Sequence, residues 1–455
     1  MKRKTLYLSF ILLLGPLALF SQQKKWTLEE CIAHALQNNI SIKQQEIMNR
    51  YQVAALEQSK LNLLPTLNGS ASHNYAFGRA LDETTYEFTE NETVQSNNFY
   101  AGSNVTLFRG LVNYNTIRKN MYEVLASEQE LEQFRDNISL NVSLAYLQIL
   151  LNQELVTATE SQVELTKQQI DRTRKLVEAG SLAQGSLLEI EAQAAREELQ
   201  LVNMRNQLAL SLLTLAQMLE LQNIDDFEVA IPVITVRDEA VDGNPAAIYS
   251  IAEKMRPEIM SAEYKLKSAE YDLAIAKGNR SPRLSLGASV STGYSDMRLK
   301  PITNENYPFR EQLNDNLNYG LGLSLNIPIF NGWQVNTLIK NSMLGIENSK
   351  YALENSKKQL YKNIQQAYTD ASGALKKYKA SQKAVISMEE AFRYAEQKLG
   401  VGLVTAVEYN QSKTQLLNAQ SEMAQAKYEY VFKTKVLDFY KGVPLTLEHI
   451  TIFAK

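Results

Sequence analysis

Residues 324–337, SLNIPIFNGWQVNT, begin as a strict alternation of apolar with polar or small side chains. They meet Pro328, then Gly332, and pass at once into a helical pattern that runs for many turns. A period of two marks a strand with unlike faces, and a recurrence near 3.6 marks a helix. Pro328 has no N–H to give to a ladder and so weakens pairing where the strand should stop. Gly332 permits a sharp turn. A related passage, NVTLFRGLVNYNT, stands at 104–116, where Phe108 and Gly110 answer Phe330 and Gly332 without a proline. The chain thus turns a strand into a long helix twice, through a Phe-x-Gly corner.

The corner recurs because the chain is duplicated. Pro65-Thr66-Leu67 matches Pro282-Arg283-Leu284 at an offset of 217, and both Phe108/Phe330 and Gly180/Gly402 differ by 222. Such self-similarity is read before any other feature. It divides the chain into a first repeat over 22–222, a connector over 223–245 that carries Pro232, Gly243 and Pro245, and a second repeat over 246–455. Each repeat reads helix, strand, loop, strand, long helix, tight break, helix.

From Leu111 to about Glu178 there is neither proline nor glycine, and from Trp333 to Leu399 only Gly345 and Gly373 intervene. A helix of that length spans about 100 Å. Ile346, Leu353, Leu360, Ala367 and Ala374 recur every seven residues, as do Ile364, Ala371, Tyr378, Val385, Phe392 and Leu399. Sustained sevenfold spacing predicts supercoiled packing on other helices. The breaks at 179–186 and 400–406 are short, which predicts antiparallel helical hairpins.

Four segments alternate at period two: about 66–79, 97–109, 283–295 and 317–330. Their second faces are small and uncharged, as in Ser285, Gly287, Ser289 and Ser291, whereas an ordinary solvated sheet carries Lys and Glu there. Segments of about ten residues fit tilted membrane-spanning strands, and Tyr75, Phe77, Tyr294, Tyr319 and Trp333 near their ends suit interfacial aromatic girdles. The alternative is a sheet half-buried on a helix. If the apolar face meets lipid, every backbone group must still be paired, so the sheet must close. Four strands are too few for a barrel, and several copies must share one.

Composition narrows the rest. Net charge is −3 over 455 residues, without the basic stripe a nucleic-acid surface wants. Cys31 is the single cysteine, so no internal disulfide forms. Lys2, Arg3 and Lys4 before an apolar run from Leu6 to Phe20 predict a signal peptide over 1–21, the alternative being a retained anchor. His34, His73 and His449 lack ligand spacing to one another or to Cys31. No nucleophile elbow, phosphate loop or paired-carboxylate signature is found. We expect no enzyme, no metal site and no cofactor.

The order of these features resembles the TolC-like outer-membrane efflux protein family over essentially the whole mature length. WTLEECIAHALQNNISIKQQE at 26–46 resembles the family's first helix, LLPTL and RSPRL its helix-to-strand corners, and TLFRG and PIFNG its strand-to-helix corners. The resemblance implies a mostly α fold with a transmembrane β part. Long antiparallel coiled-coil helices form an α-barrel tunnel, and each protomer gives four strands to a shared trimeric twelve-stranded β-barrel. It implies a homotrimeric exit duct in the outer membrane of a Gram-negative bacterium, with a large periplasmic portion, that docks with a periplasmic adaptor and an inner-membrane transporter. The other reading is an exported coiled-coil scaffold or adhesin outside lipid.

The resemblance also places sites. Acidic rings that constrict the periplasmic entrance fall at Glu408 and Gln411, so Glu408 keeps the charge and Gln411 departs from the pattern; Ser186 departs likewise in the first repeat. A ring of carboxylates in a narrow pore attracts and can bind cations, whereas a lone Glu408 would be an ordinary solvated carboxylate. Hairpin tips carrying Gly180, Leu182, Gly402, Leu403 and Val404 are the expected adaptor contacts, unless their apolar side chains pack within the tip.

Overall fold

The computed structural model describes residues 25–446 apart from 80, 82–85, 89–91, 224–226, 233, 235–242, 301 and 304. The expected signal peptide, most of the connector and His449 lie outside the described residues. The first repeat opens with two helices, α1 (Leu28–Asn38) and α2 (Ile40–Leu61), followed by strands β2 (Thr66–Gly78) and β3 (Glu92–Arg109). The hairpin α3 (Val112–Glu178) and α4 (Gln184–Met218) completes it. The second repeat runs α5 (Pro245–Met255), α6 (Pro257–Gly278), β5 (Arg283–Ser295), α7 (Phe309–Asp315), β6 (Asn318–Asn326), α8 (Gln334–Gly400) and α9 (Ala406–Tyr440). Two short strands, β1 (Lys25–Trp26) and β4 (Glu228–Val229), pair in parallel and tie the start of the described chain to the segment after the first repeat.

Where the sequence suggests one helix at the head of each repeat, the structure has two. Asn39 ends α1 and caps α2, its side chain accepting from Ser41 N–H at 3.0 Å. At the equivalent place Pro257 starts α6 behind Arg256, since proline is preorganised for a first helical position and disfavours helix before it.

The duplication is carried into the packing. One core gathers Cys31, Ala35, Val142, Ile149 and Leu215, where α1 and α4 meet α3. The other gathers Ile248, Ala252, Ile364, Ala371 and Leu437 around α8. The first two pairs are 217 apart and the other three 222 apart, the same offsets as the sequence repeats. The heptad positions expected on α8 are buried or half-buried, with Leu360, Ile364, Ala371 and Ala374 innermost.

The four long strands form one antiparallel sheet in the order β2-β3-β5-β6, so the two repeats join at β3 and β5. β3 begins at Glu92, five residues earlier than alternation alone indicates, because it continues the antiparallel register with β2 up to Gly78. β6 stops at Asn326 and does not reach Phe330. Asn326 faces Arg283, the first residue of β5, so Ile327, Pro328, Ile329 and Phe330 have no ladder partner left, and Pro328 could not donate to one.

Candidate functional site

The register settles how the side chains of the sheet are sorted. Ala101, Val290 and Tyr319 stand side by side across three strands, as do Val105, Leu286 and Leu323 two rows lower. On the other face Asn68, Gly102, Ser289 and Gly320 form one row, and Ser70, Tyr100, Ser291 and Asn318 the next. Thus every strand turns its apolar set to the same side, because a one-residue slip would have sent a whole set to the opposite face. Between the rows of Arg283 and Asn98 the second face carries no charged side chain. A bulge at Leu107 shifts the β3 register and brings Phe108 opposite Leu284 on the apolar side. His73, a polar residue on that side, sits 2.5 Å through Nδ1 from Asn97 Oδ1 on the facing strand and edge-on to Tyr75.

The apolar face is exposed rather than packed on a helix: Leu321, Leu323 and Leu325 are each more than 60% accessible. That removes the half-buried sheet as an account of the alternation. Both outer edges, β2 and β6, lack a further strand among the described residues. No helix among the described residues is long and apolar enough to cross a membrane.

The upper edge of β5 is finished in a way the sequence did not disclose. β6 begins opposite Ser291, which leaves the upper residues of β5 without a strand on that side. The loop carrying α7 takes its place. Gln312 accepts from Ser295 N–H at 3.0 Å and donates to Ser295 O at 2.8 Å, and Asn316 donates to Gly293 O at 2.6 Å. Side-chain amides thereby substitute for a strand and leave the edge satisfied. Phe309 packs against Phe99 and Tyr294 on the apolar side.

Each corner below the sheet uses two consecutive left-handed residues. Gly110 and Leu111 have φ of 54° and 61°, and Gly332 and Trp333 have 58° and 63°, before α3 and α8 begin. Two such residues reverse the chain in one step, at the cost of placing a leucine and a tryptophan in a region that disfavours side chains. The surroundings of the two corners differ. A Cβ on Gly110 would collide with Gly278 O and come within 2.5 Å of Ser281, whereas one on Gly332 would meet nothing.

At the far end of the hairpins, Leu182 and Leu403 are exposed and Val404 is half-buried. Gly180 and Gly402 both adopt positive φ, 71° and 76°. Glu408 is exposed at the third position of α9, and its Oε2 accepts from Thr405 N–H at 2.9 Å while Glu408 N–H is 3.2 Å from Thr405 Oγ1. Its carboxylate therefore closes a capping box, which also favours an acid in a helix's first turn. Gln411 lies exposed one turn further on, and Ser186 is half-buried near the start of α4. Among the described residues no cluster could hold a metal ion.

Sequence reading missed a buried polar seam. α3 buries Asn152, Thr159, Thr166 and Thr173, again every seventh residue. Above them the same helix buries Val142, Tyr146 and Leu150. At this seam Lys413 of α9 lies 3.5 Å from Glu197 of α4 and 3.4 Å from Gln162 O, and also contacts Thr166 Oγ1, while Thr166 donates to Glu197. Lys413 is 4% exposed and Glu197 6%, and burial pushes the Lys413 ammonium below its ordinary value while Glu197 counters it. The signal was present in the Asn/Thr spacing of 152–173, but polar residues on a heptad are invisible to a search for apolar ones.

A sheet with one exposed apolar face, two open edges and a pair of long helical hairpins beneath it is the architecture of an outer-membrane channel protein. The chain belongs to the outer membrane efflux protein family, whose profile matches residues 31–220 and 248–440. It is similar to outer membrane protein TolC of Escherichia coli K12, 23% identical over 310 residues, which are 65% of this chain and 59% of that protein. It is also similar to the alkaline protease secretion protein AprF of Pseudomonas aeruginosa, 21% identical over 391 residues, 84% of this chain and 77% of that one. The solved Campylobacter jejuni CmeC outer membrane channel superposes with a TM-score of 0.77 at 18% identity, covering 91% of this chain and 85% of that chain.

Proposed function

We propose that the chain is the outer-membrane exit duct of an efflux or type I secretion system, built as a homotrimer around a shared barrel. The carrying observation is that the molecule exposes two halves of one joint at opposite edges. Inside the protomer the Gly110 corner seats against the end of α6 at Gly278. The equivalent second-repeat corner at Gly332 is open, and so is the equivalent end of α2, where Leu61, Leu63 and Leu64 are exposed. The free edges of β2 and β6 are placed in the same manner. A head-to-tail contact of this kind makes a ring when its rotation closes, and three copies supply twelve strands.

The small, uncharged face then lines the lumen and the apolar face meets the lipid. The duct is passive and has no catalytic role. Its exposed tips at Leu182 and Leu403, with Val404, dock a periplasmic adaptor, which links it to an inner-membrane transporter. The transporter supplies the cargo. Glu408 of each copy contributes to a ring at the periplasmic entrance, with Gln411 one turn above it.

The test is fractionation followed by recording. We expect the protein to stay with outer membranes through alkaline extraction and, when purified, to form ion-conducting trimers in planar bilayers. Release as a soluble monomeric rod would overturn the assignment. For the entrance ring, Glu408→Gln keeps hydrogen-bonding capacity for the capping box and removes only the charge; we expect weaker block by divalent cations, and unchanged block would remove Glu408 from the ring.

A further inference from the structure

One side chain stands out on the polar face of the sheet. Between the rows of Arg283 and Asn98, Tyr100 is the sole aromatic among hydroxyl, amide and glycine positions. It lies at mid-height, opposite Ser70 and Ser291. Tyr100 does not stand away from the wall. Its ring folds along its own strand over Gly102, the next residue on that face: a Cβ at Gly102 would come within 2.7 Å of both Cε1 and Cζ of Tyr100 and would clash with its hydroxyl. Separations that short do not occur between real atoms, so the ring occupies space that only glycine leaves vacant. The same economy recurs beside it, where a Cβ on Gly293 would come 2.9 Å from Asn98 Oδ1 and one on Gly320 would come 2.8 Å from Ser289 Oγ.

We infer that Gly102 is a seat that holds Tyr100 flat against the barrel wall, and that seating the ring there keeps the bore open to bulky solutes. The inference rests on the trimeric duct proposed above, in which three such pairs share one level of the lumen. The obstacle to a side chain at 102 is the far end of a movable side chain, not backbone. A larger residue there therefore expels the ring and leaves the strand in place. The ring then swings off the wall, and three rings narrow the bore together. With Tyr100 seated, the wall at this level is smooth and uncharged, and it sorts solutes by size, not by sign of charge.

The test is polymer exclusion in planar bilayers, with polyethylene glycols of graded size added on the extracellular side of full-length trimers. The readout is the largest polymer that enters and lowers conductance, which reports the outer bore wherever the main resistance lies. We expect Gly102→Val to shift the cut-off to smaller polymers, the double variant Gly102→Val/Tyr100→Ala to restore it, and Tyr100→Ala alone to leave it unchanged. An unshifted cut-off in Gly102→Val, or a shift that persists in the double variant, would overturn the seat. A wider cut-off in Tyr100→Ala would show that the ring already stands in the bore, which overturns it equally and does not depend on the valine variant folding. If wild-type protein forms no channel at all, the duct reading fails first and takes this inference with it.

Discussion

Lys413 and Glu197 illustrate how little a sequence says about a residue's solvent. Glu197 lies between the exposed charges of Arg196 and Glu198, and Lys413 within a polar stretch of α9, yet this pair is buried at the seam between the hairpins of the two repeats. Removing one partner of a buried pair leaves the other uncompensated, which costs about 3 kcal/mol or more, whereas replacing both by apolar groups is often neutral or stabilising. We therefore expect Lys413→Met to lower the Tm of the protein and Lys413→Met/Glu197→Leu to recover most of the loss, as followed by circular dichroism. Tyr146 gives a second expectation. Its hydroxyl, 2.6 Å from Ala230 O and 3.1 Å from Trp26 O, donates to the nearer and pins the β1–β4 pair to α3. Burial raises its pKa well above the usual phenol value. A raised folded value means that the stabilisation is complete below about pH 10, the unfolded value, and is lost as pH rises through the folded one. The stability advantage over Tyr146→Phe, about 1 kcal/mol at neutral pH, should shrink in urea melts above pH 10.

At the scale of elements, the two Phe-x-Gly corners have the same backbone but different neighbours. Gly110→Ala must both adopt φ of 54° and displace Gly278, while Gly332→Ala meets only the backbone cost in the monomer. That cost is about 1 kcal/mol for a non-glycine residue in the left-handed region. We expect Gly110→Ala to be clearly the more destabilising of the two in detergent-dispersed monomers. If the Gly332 corner seats on a neighbouring copy as Gly110 seats on α6, the two should converge in the assembled trimer, which heat stability on gels would show. The α7 loop belongs to this scale as well. Gln312 is fully buried and stands in for a strand at the upper edge of β5. Gln312→Leu matches it in size but removes its two hydrogen bonds to Ser295 N–H and O, a loss of about 2 kcal/mol. Proteolysis of the β5–β6 loop should accelerate in that variant.

For the whole molecule, the duplication is nearly an identity of plan: α3 and α8 each have 67 residues, and α4 and α9 each have 35. The two cores repeat at the sequence offsets. The buried ion pair does not, because the positions 222 after Glu197 and 222 before Lys413 are Ala419 and Glu191. The seam within a protomer is thus tied by charge. Its counterpart between protomers would lack that tie, so the assembled tunnel should part first between copies. Cross-linking cysteines placed on α4 and α8 should join neighbouring chains only in the trimer, and dissociation by mild heat should precede loss of helix signal by circular dichroism.

Much of this molecule was legible in order along the chain. The repeats, the long helices, the four alternating segments, the corners and the tips follow from periodicity and from where glycine and proline stand, because those are local constraints that each residue carries with it. The heptads of α8 proved to face inward, and strand β5 runs over the alternating residues themselves. What local pattern could not decide was everything that depends on a partner distant in sequence. The early end of β6 follows from where β5 begins, the α7 loop from an edge that lacked a strand, and the buried Lys413–Glu197 pair from two helices that meet only in space. The Tyr100 ring over Gly102 belongs with them, since its rotamer is set by the space that glycine leaves. Alternation fixes which residues share a face of the sheet. Only the tertiary register, by aligning four such faces and leaving two edges open, makes that face one continuous surface that a membrane and further copies can complete.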